Sequence, residues 1–204
     1  GLVSSGQGNL TGTVLRKGCC RTLTKSKKFK MITYTTANSK SDLEGILKLQ
    51  KSNLPKNLNP EEIQTQGFVT VDHSYDLLKK MNDIEKHIIA KEQDEVIGYV
   101  LAMTKHSRFE ISILLPMFNV LDSVPYKKQK ISDYDYMLVG QVCVDKKYRG
   151  QGIFDKCYNY YREVYSKKYE FAITEIATQN FRSLNAHKRI GFEEIHSYIG
   201  PDKT

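Results

Sequence analysis

The sequence predicts an α/β domain, α+β in arrangement: a mixed, mostly antiparallel central sheet with one β-α-β crossover and flanking helices. Three observations carry this. From residue 31 onward, stretches with an apolar period of two alternate with stretches of helical period. Two apolar runs near the middle are separated by only three polar residues, which reads as a hairpin. The last seventy residues run strand, helix, strand, helix, and a strand–helix–strand unit closes as a right-handed crossover between parallel strands.

The elements follow in order. "MITYTTA" alternates as a strand. "SDLEGILKLQKSNL" is a helix, with Ser41 as N-cap and Glu44 three residues on, the spacing of a capping box. "GFVTV" is a short strand and "YDLLKKMNDIE" a second helix. "KHIIAKE" and "VIGYVLAMTK" form the hairpin around "QDE". Residues 105–135 contain two prolines in a long connection, the kind that is usually functional or hides short elements, and are read as a lid or acceptor-binding region. "YMLVGQVCV" is a strand, residues 151–168 a helix, and "FAITEIAT" a strand. "NFRSLNAHKRIGF" is a helix stopped by Gly191 as a C-cap glycine, and "EEIHSYI" closes as a strand.

The 204 residues suit one domain with an accessory segment, and a hydrophobic fraction of 40% supplies a core. The net charge of +8 is unevenly placed. Seven of those charges lie in residues 1–30, which contain no acid, leaving +1 for residues 31–204. A basic nucleic-acid-binding face is therefore not expected on the domain. Residues 1–30 are read as a basic extension, disordered or non-native, and residues 31–204 as a single domain. No window approaches the roughly 18 apolar residues of a membrane span. The four cysteines, Cys19, Cys20, Cys143 and Cys157, make no metal spacing, so no metal is expected. They fit buried free thiols in a reducing compartment, the cytoplasm. The tyrosines of "YNYYREVY" fall at helical spacing and read as core rather than as base-stacking residues.

The junction "QVCVDKKYRGQGIF" carries the chemistry. Gly150 and Gly152 lack a Cβ, so the backbone can adopt φ > 0 and approach a ligand closely. The strand ending near Val144 delivers them to the N-terminus of the next helix. Free N–H groups and the positive end of the dipole make an anion site there. The amides from Gly150 through Gln151, Gly152 and Ile153 to Phe154, with Arg149 alongside, suit a pyrophosphate. A Walker A loop is absent, and Asp155 stands where a Rossmann loop wants its third glycine.

Together, "YRGQGIF" and "NFRSLNAHKRIGF" resemble the two signature motifs of the GNAT superfamily of N-acetyltransferases. The acetyl-CoA loop of that family reads Arg/Gln-x-x-Gly-x-Gly/Ala after a strand ending in Val. Arg149, Gly152 and Val144 match it, and Phe154 departs from the final small residue. The later motif, Asn-x-x-Ala-x-x-x-Tyr-x-x-x-Gly-Phe, is met here by Asn180, Ser183, His187, Gly191 and Phe192. His187 stands where many relatives carry tyrosine. The chain also ends 12 residues after Phe192, where the family usually adds one more strand. That strand is expected to be very short, missing or replaced.

The resemblance implies direct transfer of an acetyl group from acetyl-CoA to a primary amine of a small molecule or peptide, by a monomer or homodimer, without metal, membrane or nucleic acid. It implies a GNAT-like sheet in which the Val142, Cys143 and Val144 strand splays from its neighbour. An N–H near Val144 would then serve as an oxyanion donor. Asn180 would bond the pantetheine arm or a water, and by its own chemistry suits an N-cap for 181–190. Tyrosine is protonated at neutral pH, whereas histidine, with a reference pKa of about 6.5, needs tuning to protonate a leaving thiolate. His187 is the candidate general acid; the alternative is a histidine on a helix face that contacts CoA without transferring a proton. Glu175, placed mid-strand in "FAITEIAT", is the candidate general base, with a structural salt bridge as its alternative. Asp133, Asp135 and Gln141 stay open for the same role. A non-catalytic acyl-CoA-binding module is the competing function.

Overall fold

The computed structural model describes residues 31–109, 111 and 115–198; the basic extension and its two cysteines lie outside them. Five strands form the main sheet in the order β1 (Ile32–Thr36), β2 (Ile88–Glu92), β3 (Glu95–Thr104), β6 (Tyr136–Val144) and β7 (Phe171–Thr174). All neighbours are antiparallel except β6 and β7, which are parallel and joined by helix α5 (Ile153–Tyr165). This is the expected mixed sheet with its crossover. Two short strands, β4 (Pro125–Tyr126) and β5 (Gln129–Lys130), form a separate hairpin.

Helices cover both faces, so β3 is buried along almost its whole length and reads as a continuous apolar run. Alternate side chains enter different cores. Tyr99, Leu101 and Met103 join α1 (Lys40–Lys51) and α3 (Tyr75–Ile84) on one side, while Val100 and Ala102 meet α5 on the other. The tyrosines Tyr158, Tyr161 and Tyr165 of α5 are buried in that second core, as their spacing predicts.

Several local expectations are corrected. Helix α1 starts earlier than predicted: Ser39 is the N-cap, and Asp42, not Glu44, closes the capping box, because Asp42 reaches back to the Ser39 N–H at 3.0 Å. "GFVTV" is no strand. It follows helix α2 (Pro60–Gln66) as an extended segment held by the Val69 N–H to the Asn53 carbonyl (2.9–3.2 Å being ordinary for such a bond; here 3.1 Å). The described part of residues 105–135, the stretch read as a lid or acceptor-binding region, is built into the domain. These residues pack inward through Phe118 of helix α4 (Leu115–Ser123), Val124 and Ile131, each at most 2% exposed, and through the Arg108–Asp122 ion pair. Strand β7 ends at Thr174, and residues 193–198 form no strand, so the described residues leave β7 at the end of the sheet.

Candidate active site

Two strands part at the site. The β6–β7 pairing runs only from Tyr136↔Phe171 to Val139↔Thr174, while β6 continues to Val144 against β3. Between Leu101 and Ala102 the β3–β6 register shifts, so Gly140 is the extra residue of a bulge, and the bulged strand bends. Beyond this point β6 has an uncovered side. Its polarity follows from one bond: the Asp145 N–H donates to the Ile97 carbonyl at 2.8 Å. In an antiparallel ladder hydrogen-bonded and non-bonded pairs alternate. Cys143↔Tyr99 and Gln141↔Leu101 are therefore the bonded pairs, and the N–H groups of Val142 and Val144 face the opening.

That opening is a cavity of about 630 Å³. One wall is Val142–Val144 and the loop after it. A turn at Lys146–Tyr148, stabilised by Asp145 accepting from the Lys147 N–H, leads into Gly150 and Gly152, with φ of 75° and 76°. A Cβ at either glycine would meet no atom within 4 Å, so the loop backbone borders open space. Gly152 is the N-cap of α5 and offers no side chain to its amides. The Lys156 N–H is the first to bond into the helix, to the Gly152 carbonyl at 3.1 Å, so the amides of Ile153 to Asp155 precede the ladder. Asp155, the acid in this first turn, is neutralised by a bidentate pair with Arg189 at 2.6 and 2.7 Å, which also lowers its pKa.

The opposite wall is the segment Gln66–Val69 with Asn53, which sequence reasoning missed. Asn180 holds it. Its Nδ2 donates to the Phe68 carbonyl at 3.0 Å while its Oδ1 accepts from the Ser183 N–H, the predicted N-cap of helix α6 (Phe181–Arg189). Only the Asn59-Pro60-x-Glu62 cap and Gly67 were visible as signals in this stretch, and they mark a helix and its end, not a cavity wall.

Val142, Cys143, Val144, Arg149, Gly150, Gly152, Ile153, Phe154, Asn180 and Ser183 all line the cavity. Gln151, Glu175 and His187 do not, and neither do Asp133, Asp135 and Gln141, the residues left open as bases. Gln151 folds its amide onto the Lys147 carbonyl at 2.9 Å. Glu175 is exposed one residue past the end of β7 rather than mid-strand. His187 is only 2% exposed; its Nδ1–H donates to the Ser183 carbonyl at 2.7 Å and its Nε2 accepts from the Tyr158 hydroxyl at 2.6 Å. Burial pushes its pKa down, against the raising effect of the Ser183 bond. Two of the departures from the resembled motifs touch: Phe154 packs edge-on against His187, ring centroids 5.2 Å apart.

Arg149 also behaves differently from expectation. Its guanidinium is turned into the protein, with Nε donating to the Val144 carbonyl at 3.1 Å and a terminal nitrogen to Asn53 Oδ1 at 2.7 Å. It ties the two walls together rather than standing free beside the loop. Cys143 is buried, and desolvation pushes its thiol up to about 12.

Among the described residues there is no cluster that could hold a metal ion, and no helix is long and apolar enough to cross a membrane. No curated protein matches the sequence. Solved structures share the fold. They include the aminoglycoside N-acetyltransferase AAC(6')-Iy in complex with the bisubstrate analogue CoA-S-monomethyl-acetylneamine (15% identity, 83% of this chain and 96% of that chain, TM-score 0.55). The aminoglycoside antibiotic 6'-N-acetyltransferase AAC(6')-Ih from Acinetobacter baumannii is similar at 16% identity (83% and 96% covered, TM-score 0.54). So is a transcriptional regulator from Bacillus halodurans C-125 at 15% (83% and 98%, TM-score 0.56). The sequence itself matches the Acetyltransferase (GNAT) family over residues 49–192, which takes in the parted strands, the glycine turn and both flanking helices. With a match over more than half its length, this chain belongs to the GNAT acetyltransferase family.

Proposed function

We propose that the cleft binds acetyl-CoA and passes its acetyl group directly to a primary amine. One observation carries the reading: the cavity is bounded at once by outward N–H groups of Val142 and Val144 and by the uncapped amides that open α5. The first set suits a thioester oxygen gaining negative charge, and the second a diphosphate. In the reaction the neutral amine nitrogen bonds to the carbonyl carbon, the C–S bond breaks, the nitrogen gives up one proton, and the leaving thiolate takes up one, so that an amide and free CoA thiol result. Acyl transfer through Cys143, the thiol that lines the cavity, is disfavoured, because burial pushes its pKa up to about 12 and keeps it protonated at neutral pH.

His187 fits a structural role better than that of general acid, since both ring nitrogens are engaged and the ring does not line the cavity. Glu175 remains the candidate base; it is exposed just past the end of β7, which would let it act on the amine through water. Aminoglycosides head the list of acceptors to be tried, because structurally similar proteins bear that activity in their names. Free-thiol release from acetyl-CoA, measured over a panel of aminoglycosides, polyamines, amino acids and peptides, tests the reading. Release with at least one amine supports it. Tight binding with no release for any amine supports the non-catalytic acyl-CoA-binding module.

A further inference from the structure

Behind the bulge lies a buried polar network that the cavity does not use directly. It joins Gln50 at the end of α1, His73 in the segment before α3, Tyr99 on β3 and Gln141 on β6; none is more than 8% exposed. Every polarity in it is fixed. The His73 N–H donates to Gln50 Oε1 at 2.8 Å, so the Gln50 nitrogen must point the other way, and it donates to His73 Nδ1 at 2.7 Å and to Gln141 Oε1 at 2.8 Å. Gln141 is fixed independently, because its Nε2 donates to the Val71 carbonyl at 3.0 Å. The Tyr99 hydroxyl then completes Gln141 Oε1 at 2.6 Å. Both amide hydrogens of Gln50 are used, so His73 Nδ1 is an acceptor and the ring is neutral.

Placement gives this network its significance. Gln141 follows the bulge residue Gly140 and immediately precedes Val142. The peptide between Gln141 and Val142 is planar, so orienting Gln141 orients the Val142 N–H that faces the cavity. The same side chain holds Val71, two residues beyond the cavity wall that ends at Val69. Four buried partners are more than packing requires, since an apolar side chain could fill the space without the risk of unpaired groups.

We propose that Gln50, His73, Tyr99 and Gln141 are positioning residues for acetyl transfer: they set the plane of the Gln141–Val142 peptide and, through Val71, couple the Gln66–Val69 wall to it. This rests on the reading of the cleft as an acetyl-CoA site. Misplacement of such a donor by about 1 Å costs up to about a hundredfold in rate, whereas the diphosphate end of the cofactor, held by the loop and α5, is untouched.

The test compares wild type with Tyr99→Phe, which removes one hydroxyl and keeps the shape, and with Gln141→Leu, which removes the hub. Three quantities are measured: kcat for thiol release, Kd for CoA, and the infrared carbonyl band of bound acetyl-CoA carrying a ¹³C thioester carbon. Both variants are expected to lose about tenfold or more in kcat, to keep CoA affinity within about threefold, and to move the carbonyl band toward its position in water. Tyr99→Phe alone decides the matter if Gln141→Leu fails to fold. A folded variant that retains the wild-type band and turnover overturns the proposal and leaves the acetyl-CoA reading standing. A wild-type protein that binds no acetyl-CoA overturns both.

Discussion

His187 shows how far a residue's identity can mislead when its surroundings are unknown. In the sequence it occupies the place of a tyrosine in the resembled motif, and its ordinary pKa makes it a candidate acid. In the fold its ring closes an aromatic cluster of Phe154, Tyr158 and Phe192, donating to one partner and accepting from another. Replacing it with Gln, which cannot relay the proton, should leave kcat within about threefold and its pH profile unchanged, because ordinary contributions of general acids are on the order of a hundredfold or more. A collapse in kcat at unchanged CoA affinity would restore the acid role. Arg149 gives the matching lesson: its charge was legible, but its direction depends on Asn53, 96 positions away in sequence. Cys143 adds a third expectation at this scale. Protein mixed with acetyl-CoA alone, quenched in acid and digested should show no acetyl group on the peptide carrying Cys143, since a thiol with a pKa near 12 is a poor nucleophile at neutral pH.

Among the elements, the glycine turn was the most legible, because its requirement is local: φ values of 75° and 76° demand residues without a Cβ, and the next helix opens on bare amides. Placing alanine in the left-handed region costs about 1–2 kcal/mol, so Gly152→Ala and Gly191→Ala, at φ of 76° and 100°, should lose comparable stability in urea titrations. Only Gly152→Ala should also weaken CoA binding, by about tenfold or more, because Gly152 borders the cavity and Gly191 caps α6 away from it. Equal affinity for the two variants would remove the turn from the site. Other elements were less legible for identifiable reasons. Ser39 and Ser41 both offer caps, and the choice between Asp42 and Glu44 is made by geometry two residues away. "GFVTV" has strand composition but its amides serve a loop wall, and "FAITEIAT" stops pairing at Thr174 because β6 bends away at Gly140. Period-two patterning records burial, not whether a neighbour is within reach.

Over the whole molecule, the sheet order and its crossover were readable from patterning, whereas the cavity was only half readable, since one wall comes from a segment with no motif. Buried histidines set a property of the entire fold. Burial pushes His73 down to about 4 and His87 down to about 3, from an ordinary 6.5. Between those values and 6.5 the unfolded chain binds more protons than the folded one, so stability rises with pH there. It is complete above about pH 6.5 and is lost progressively as pH falls toward 4 and then 3, at up to about 1.4 kcal/mol per pH unit for each histidine. Urea unfolding at pH 7, 6 and 5 should show this decline; a flat profile would contradict neutral burial of the pair. Carboxylates held low by arginine, Asp122 and Asp155, act in the same direction only below about pH 4.

The central claim is that amides at the strand-to-helix turn grip a diphosphate while the parted strands receive the thioester. Calorimetric titration of the protein with CoA and, separately, with two fragments of it addresses it most directly. Pantetheine lacks the diphosphate and the phosphoadenosine beyond it, and 3'-phosphoadenosine reads the nucleoside alone. CoA should bind at least about a hundredfold more tightly than either fragment, the equivalent of two charge-assisted hydrogen bonds at the helix terminus. Equal affinity for CoA and either fragment, or no heat with CoA from protein shown to be folded, would contradict it.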